Sequence, residues 1–138
     1  MMGYIKHRKL KGEIFVIDFD NGSVIKLKQA SLDSADEILP LLIDGEKVVS
    51  CYKGIRDFVA FTTHRIISVN VQGITGKKKD FTSMPYSRIQ TFSVETSGVL
   101  DLDSELELYF SGLGKLKFEF TGRSDIVEIG RLIGEKIL

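Results

Sequence analysis

A thiol attack in this chain would have to draw on Cys51, His64 and an acid such as Asp101, because there is one cysteine and only two histidines. Such a thiol must be ionised, accessible and within reach of a base. Cys51 instead lies in Val48-Val49-Ser50-Cys51-Tyr52, an apolar run in which a small buried thiol is expected. His64 falls in the polar break Thr62-Thr63-His64-Arg65, where a residue tolerant of left-handed backbone is useful. No catalytic residue is assigned. Metal chemistry fares no better, since His7, Cys51 and His64 offer no ligand spacing. Asp101, Asp103, Glu105 and Glu107 recur at every second position, which sets them on one strand face as a solvated acidic row. No metal and no cofactor is expected.

Anion chemistry has two candidates. Gly73-Ile74-Thr75-Gly76-Lys77-Lys78 has the look of a phosphate loop, but it joins two strands, lacks the full glycine spacing and has no helix after it. Its amides therefore have no reason to converge on a phosphate, and it reads as a turn. Lys77, Lys78 and Lys79 form a candidate patch for anionic headgroups, at about 1 kcal/mol for each lysine near a charged surface. The basic residues Lys6, His7, Arg8, Lys9 and Lys11 read as a solvated arm that would support such a patch.

The totals leave little room for other classes. Lysine plus arginine and aspartate plus glutamate each count 19 in 138 residues, so no net field draws the chain to nucleic acid. There is no basic helix or RNA-binding aromatic signature, and no nucleic-acid partner is expected. One cysteine excludes an internal disulfide, and no apolar run is long enough to span a bilayer. Residues 1–12 lack the apolar stretch and cleavage site of a secretory signal. The expectation is a soluble, cytoplasmic protein of about one domain.

The elements that would position these residues are mostly strands. Phe58-Val59-Ala60-Phe61 is apolar on both faces, whereas Ile67, Val69 and Val71 alternate with Ser68 and Asn70. The first run is a strand needing cover on two sides and the second a half-buried strand, joined by the turn at Thr62–Arg65. A small barrel buries one face of such a strand, so the other seeks a helix, the N-terminal hairpin or a second copy, and Phe58, Val59, Ala60 and Phe61 are the candidate interface. Upstream, Asn21-Gly22 between the runs 13–19 and 24–27 signals a hairpin. A short helix is expected over 31–39, stopped by Pro40, and a strand over 46–53. Downstream, 77–84 reads as a strand blunted by lysine, as sheet edges often are, and Pro85 ends it. Phe92 and Val94 point inward from the next strand, before an acidic loop at 98–103.

Leu106, Leu108 and Phe110 share a face, as do Leu116, Phe118 and Phe120, so even positions should pair with even and charge sets Glu107 opposite Lys117. Ile126, Ile129, Ile133 and Ile137, flanked by Leu132, make one stripe of a closing helix, with Asp125 and Glu128 placed as a capping box.

Several stretches taken together closely resemble the bacterial pleckstrin-homology (PH) domain family. They are Asp44-Gly45-Glu46, Lys53-Gly54-Ile55-Arg56-Asp57, Phe61-Thr62-Thr63-His64-Arg65, Gln72 to Lys78, Pro85-Tyr86, Phe92 to Thr96 and Leu100 to Leu106. The match runs in order from about residue 36 to the end. At the central turn the family often has Thr-Asn-Lys-Arg where this chain has Thr62-Thr63-His64-Arg65. The resemblance implies a mainly β fold with a C-terminal helix: a partly open barrel of two roughly orthogonal antiparallel sheets, about seven strands, plugged by the helix. It further implies no enzymatic activity, and assembly into ring-like homo-oligomers. Residues 30–138 would be the PH-like domain and residues 1–29 a basic arm with a hairpin extension. Eukaryotic PH domains that hold phosphoinositides carry a basic signature in the first strand pair, which Lys53 to Arg56 lacks. The resulting expectation is a self-assembling interaction module that also accepts other proteins, with a lipid-headgroup adaptor as the alternative.

Overall fold

The computed structural model describes residues 7–9, 15–17, 22–72, 74–96 and 103–138. Ten strands and one α-helix are seen among these: β1 (His7–Lys9), β2 (Phe15–Ile17), β3 (Gly22–Ala30), β4 (Val48–Lys53), β5 (Asp57–Thr62), β6 (Arg65–Gln72), β7 (Lys78–Pro85), β8 (Ile89–Thr96), β9 (Ser104–Phe110), β10 (Gly114–Phe120) and α1 (Ile126–Ile137). A 3-10 helix, Leu32–Leu41, joins β3 to β4, and a short 3-10 turn, Tyr86–Arg88, joins β7 to β8. Eight strands form one sheet in the order β7-β6-β5-β4-β3-β10-β9-β8, while β1 and β2 pair separately.

The count is thus eight strands where about seven were expected, and the extra one is β3. The runs 13–19 and 24–27 do not pair across Asn21-Gly22 in the strands described: β2 pairs with β1, and β3 enters the large sheet. β3 is also where the all-antiparallel expectation fails. Its first half runs parallel to β10, with Val24 opposite Phe118, and its second half runs antiparallel to β4, with Ala30 opposite Cys51. Between them Glu119 faces two residues instead of one, and Lys26 takes a left-handed φ of 56°. A bulge of this kind bends its strand sharply. β3 therefore turns the corner between the layer β4 to β7 and the layer β8 to β10.

The even register is as expected: Leu116 pairs with Leu108, Phe118 with Leu106 and Lys117 with Glu107. Charge pairing runs diagonally instead of straight across, with Lys115 3.6 Å from Glu107 and Lys117 3.7 Å from Glu105. Both layers and α1 share one core, built from Val59, Phe61, Ile66, Leu106, Leu108, Phe118, Ile129 and Ile133 among others. Tyr52 packs edge-on to Phe61, and Phe61 edge-on to Phe118, at centroid distances of 5.8 and 6.1 Å. The isoleucine stripe of α1 faces this core, but the capping box does not form, since Asp125 makes no side-chain cap bond. Burial pushes the Asp125 carboxyl up, and Glu128 adds to the effect.

Candidate functional site

The two faces of β5 are covered by different things. Val59 and Phe61 enter the barrel core, while Phe58 and Ala60 join a second cluster with Ile67, Val69, Cys51, Ala35 and Ile38. Ala35 and Ile38 come from the 3-10 helix, so the chain covers its own two-faced strand. Phe58 is 6% exposed and Val59, Ala60 and Phe61 are fully buried, which leaves no free surface at the four candidate interface residues. The helix ends later than Pro40, which lies inside its last turn.

Cys51 sits under the same helix, its thiol donating to the Ser31 carbonyl at 3.1 Å. Burial pushes that thiol up, away from the ionised form a nucleophile needs. His64 is exposed in the β5–β6 turn with Nδ1 2.8 Å from Thr63 Oγ1, and Asp101 lies outside the described residues. Cys51 and His64 are not brought together. Gly73 and the greater part of the acidic loop 98–103 also lie outside the description. Glu105 and Glu107 occupy the outer face of β9 against Lys117 and Lys115, and no metal-holding group of three ligands occurs among the described residues.

Lys77, Lys78 and Lys79 are exposed but do not form one patch. Neighbouring strand residues point to opposite faces, and Lys79 is taken by Glu37 of the 3-10 helix. Two surface grooves of about 510 Å³ are present. One lies between Lys26, Lys28, Glu105 and Glu119; its serine, Ser104, meets Ser124 at 3.2 Å in place of a base.

One arrangement that residue chemistry alone did not single out is a buried ion pair. Glu46, with a fully buried side chain, accepts from Arg65 Nε at 2.9 Å and Nη2 at 3.0 Å, from Thr62 Oγ1 at 2.6 Å and from the Ile43 amide at 3.0 Å. Arg65 reaches on to the Leu41 carbonyl and to Ser83 Oγ, and Tyr86 donates to the Thr62 carbonyl at 2.7 Å. Burial alone would raise the Glu46 carboxyl, but the bonds from Arg65, Thr62 and Ile43 overcome it and bring its pKa to about 2. Its chemistry is structural: it ties the end of the 3-10 helix to the β5–β6 turn, β7 and the turn after it.

A different feature faces outward. The eight-strand order ends at β7 and at β8, so each of these strands has a neighbour on one side only. β7 carries Lys78, Lys79 and Pro85, whereas β8 reads Ile89-Gln90-Thr91-Phe92-Ser93-Val94-Glu95-Thr96, with neither lysine nor proline.

Comparison with known proteins decides the family. The bacterial PH domain family matches residues 18–137. The chain belongs to that family. The Bacillus subtilis protein YjqA, itself uncharacterized, is 44% identical over 100 residues, spanning 71% of this chain and 80% of its own. The crystal structure of a DUF1696 family protein with a pleckstrin-homology domain, from Shewanella loihica, is 38% identical with a TM-score of 0.69, covering 83% of this chain and 99% of that one. A pleckstrin-homology domain from Shewanella amazonensis is 40% identical with a TM-score of 0.59, covering 79% and 90%. The partly open β fold with its terminal helix is that of a bacterial PH domain. The stretches Asp44-Gly45-Glu46, Thr62 to Arg65 and Pro85-Tyr86, which carried the resemblance, supply Glu46, Thr62, Arg65 and Tyr86 to the ion-pair network. Among the described residues no helix is long and apolar enough to cross a membrane.

Proposed function

We propose that this bacterial PH domain is a non-enzymatic interaction module, at work in the cytoplasm, that assembles with copies of itself through the open ends of its sheet. The observation that supports the reading is the pair of one-sided strands: β7 and β8 each present backbone donors and acceptors along one edge. Pairing of β7 in one copy with β8 in the next sets the lysines of the one beside a strand without lysine, and a head-to-tail contact of this kind closes into a ring when its rotation divides a full turn. The face of β5 plays no part, being covered within the chain.

The test is solution mass by light scattering at tens of micromolar. An oligomer supports the reading and a monomer overturns it. Mixing a Ser83→Cys chain with a Ser93→Cys chain assigns the edges, because each variant adds one exposed thiol while Cys51 stays buried. Disulfide-linked pairs that form faster in the mixture than in either chain alone are the expected result.

A further inference from the structure

The charges of this chain balance overall but not locally. From Gln29 to Glu46 there are five carboxylates, those of Asp33, Asp36, Glu37, Asp44 and Glu46, and no lysine or arginine. Residues 1–12 are the reverse: Lys6, Arg8, Lys9 and Lys11 stand among Met1, Met2, Tyr4, Ile5 and Leu10, without an acid. The acidic stretch is the 3-10 helix and the loop after it. Its inner side is spent on β5, through Ala35 and Ile38. Its outer side is bare, with Leu32, Leu39, Leu41 and Ile43 between 42% and 59% exposed. Three residues per 3-10 turn set Asp33, Asp36 and Leu39 along one line of that side. Glu37 is taken by Lys79 and Glu46 by Arg65, whereas Asp33, Asp36 and Asp44 are exposed and make no ion pair among the described residues. Exposed apolar side chains within a charged rim mark an interaction surface, and what neutralises this one comes from outside the single chain.

We propose that the acidic, apolar outer side of the 3-10 helix receives the basic arm, residues 1–12, of a second copy. The inference rests on the self-assembly reading and names a contact beyond the sheet edges. Charge complementarity selects the occupant, because arm and surface carry opposite signs, each interleaved with apolar residues. Reach permits it: the middle of the arm is extended, as β1, and twelve extended residues span up to about 40 Å. The ten-residue 3-10 helix is about 20 Å long. An arm given to one neighbour and a surface offered to the next make this contact head-to-tail, like the pairing of edges. The acidic rim turns anionic membranes away, so lipid is not the occupant.

The test has two stages. A labelled peptide of residues 1–12 is titrated onto the full chain and followed by fluorescence anisotropy, beside a scrambled peptide of the same composition. Saturable binding is expected, weakened roughly tenfold by Asp33→Lys with Asp36→Lys and several-fold between about 0.05 and 0.5 M salt. Both aspartates are exposed, so the variant keeps the fold. Absent binding, equal binding of the scrambled peptide or binding unchanged in the variant each overturns the docking site. Light scattering then compares the parent, the aspartate variant, a Lys6→Glu, Lys11→Glu variant and an equimolar mixture of the two variants. Each variant alone sets like charges together and should begin to assemble at a concentration about tenfold higher than the parent. The mixture should recover, since each variant then meets its opposite in the other. Failure to recover on mixing overturns exchange between copies and returns the arm to its own chain. Peptide binding as expected with every chain monomeric overturns the second copy as occupant, and traces the failure to the self-assembly reading instead of to the surface.

Discussion

Glu46 and Glu105 are two glutamates with opposite consequences for stability. The Glu46 carboxyl has a pKa of about 2 against an ordinary 4.5, so the folded state holds its proton less tightly than the unfolded chain. Its stabilisation is complete above 4.5 and is lost as pH falls toward 2. Glu46→Gln is expected to cost about 1–3 kcal/mol, because the partly exposed Arg65 then keeps its place without its counter-charge. Urea titrations of both proteins across that range check this, and the variant should show the shallower loss on acidification. Glu105 stands directly between Glu95 on β8 and Glu119 on β10. Burial first, then the carboxylates of Glu119 and Glu95, raise it despite the pull of Lys117. A raised carboxyl is the reverse case: the native protein gains stability as pH falls through the raised value toward 4.5. Glu105→Gln should therefore stabilise at neutral pH by up to about 1 kcal/mol, the scale of a like-charge cross-strand pair. Thermal midpoints should show the gain shrinking in acid. At this scale the chain was legible wherever a residue type has a strong default. Cys51 was expected to be buried and His64 to lie in a turn, and both do. The Glu46–Arg65 pair was visible only as family motifs, because nothing local shows that residues nineteen apart in sequence meet.

Helix α1 lies close on β8 at Gly130, which the isoleucine stripe concealed, and has room to spare at Gly134. A Cβ on Gly130 would stand 3.0 Å from Val94 Cγ2, while one on Gly134 would meet Phe92 and Leu138 at ordinary contact distances of 3.9 and 3.8 Å. Gly134→Ala should thus stabilise the protein by up to about 1 kcal/mol through helix propensity. Gly130→Leu should destabilise by about 1–3 kcal/mol, since the helix must rise off β8 to admit the side chain. Denaturant midpoints of the two variants are expected to move in opposite directions. The signal was present in Gly130-Arg131-Leu132-Ile133-Gly134, two glycines one turn apart, but periodicity read for apolar residues passes over it. The same bias toward side-chain pattern explains the capping box. Asp125 and Glu128 have the right spacing, yet the Asp125 side chain makes no cap bond. The two-faced strand was read correctly from Phe58 to Phe61. A helix was one of three covers expected for its outer side, but the choice among them was not legible, because Ala35 and Ile38 are two apolar residues in a polar stretch that gives no hint of where it folds back.

At the scale of the whole barrel, the misplaced element was β3. The run 24–27 was legible as a strand, but the Asn21-Gly22 turn pointed to a local partner, and a parallel partner at the far end of the chain leaves no local trace. Leu27 is fully buried where β3 leaves β10 for β4. Leu27→Ala should cost about 2–5 kcal/mol. Hydrogen exchange should quicken together in β5 and β9, because both layers are fastened at that corner. Exchange that rises in one layer only would show that the layers open separately.

The parallel seam between β3 and β10 also bears on how the protein is made. β3 leaves the ribosome before every other strand of the eight-strand sheet, and Leu116 to Phe120, which seal its open flank, belong to the last of them. Until β10 emerges the nascent barrel is therefore an unfinished cylinder, and closure has to wait for that strand. Contacts so distant in sequence form slowly, on the order of milliseconds to seconds for folds of this kind. During that wait the half-built barrel is most in need of chaperones.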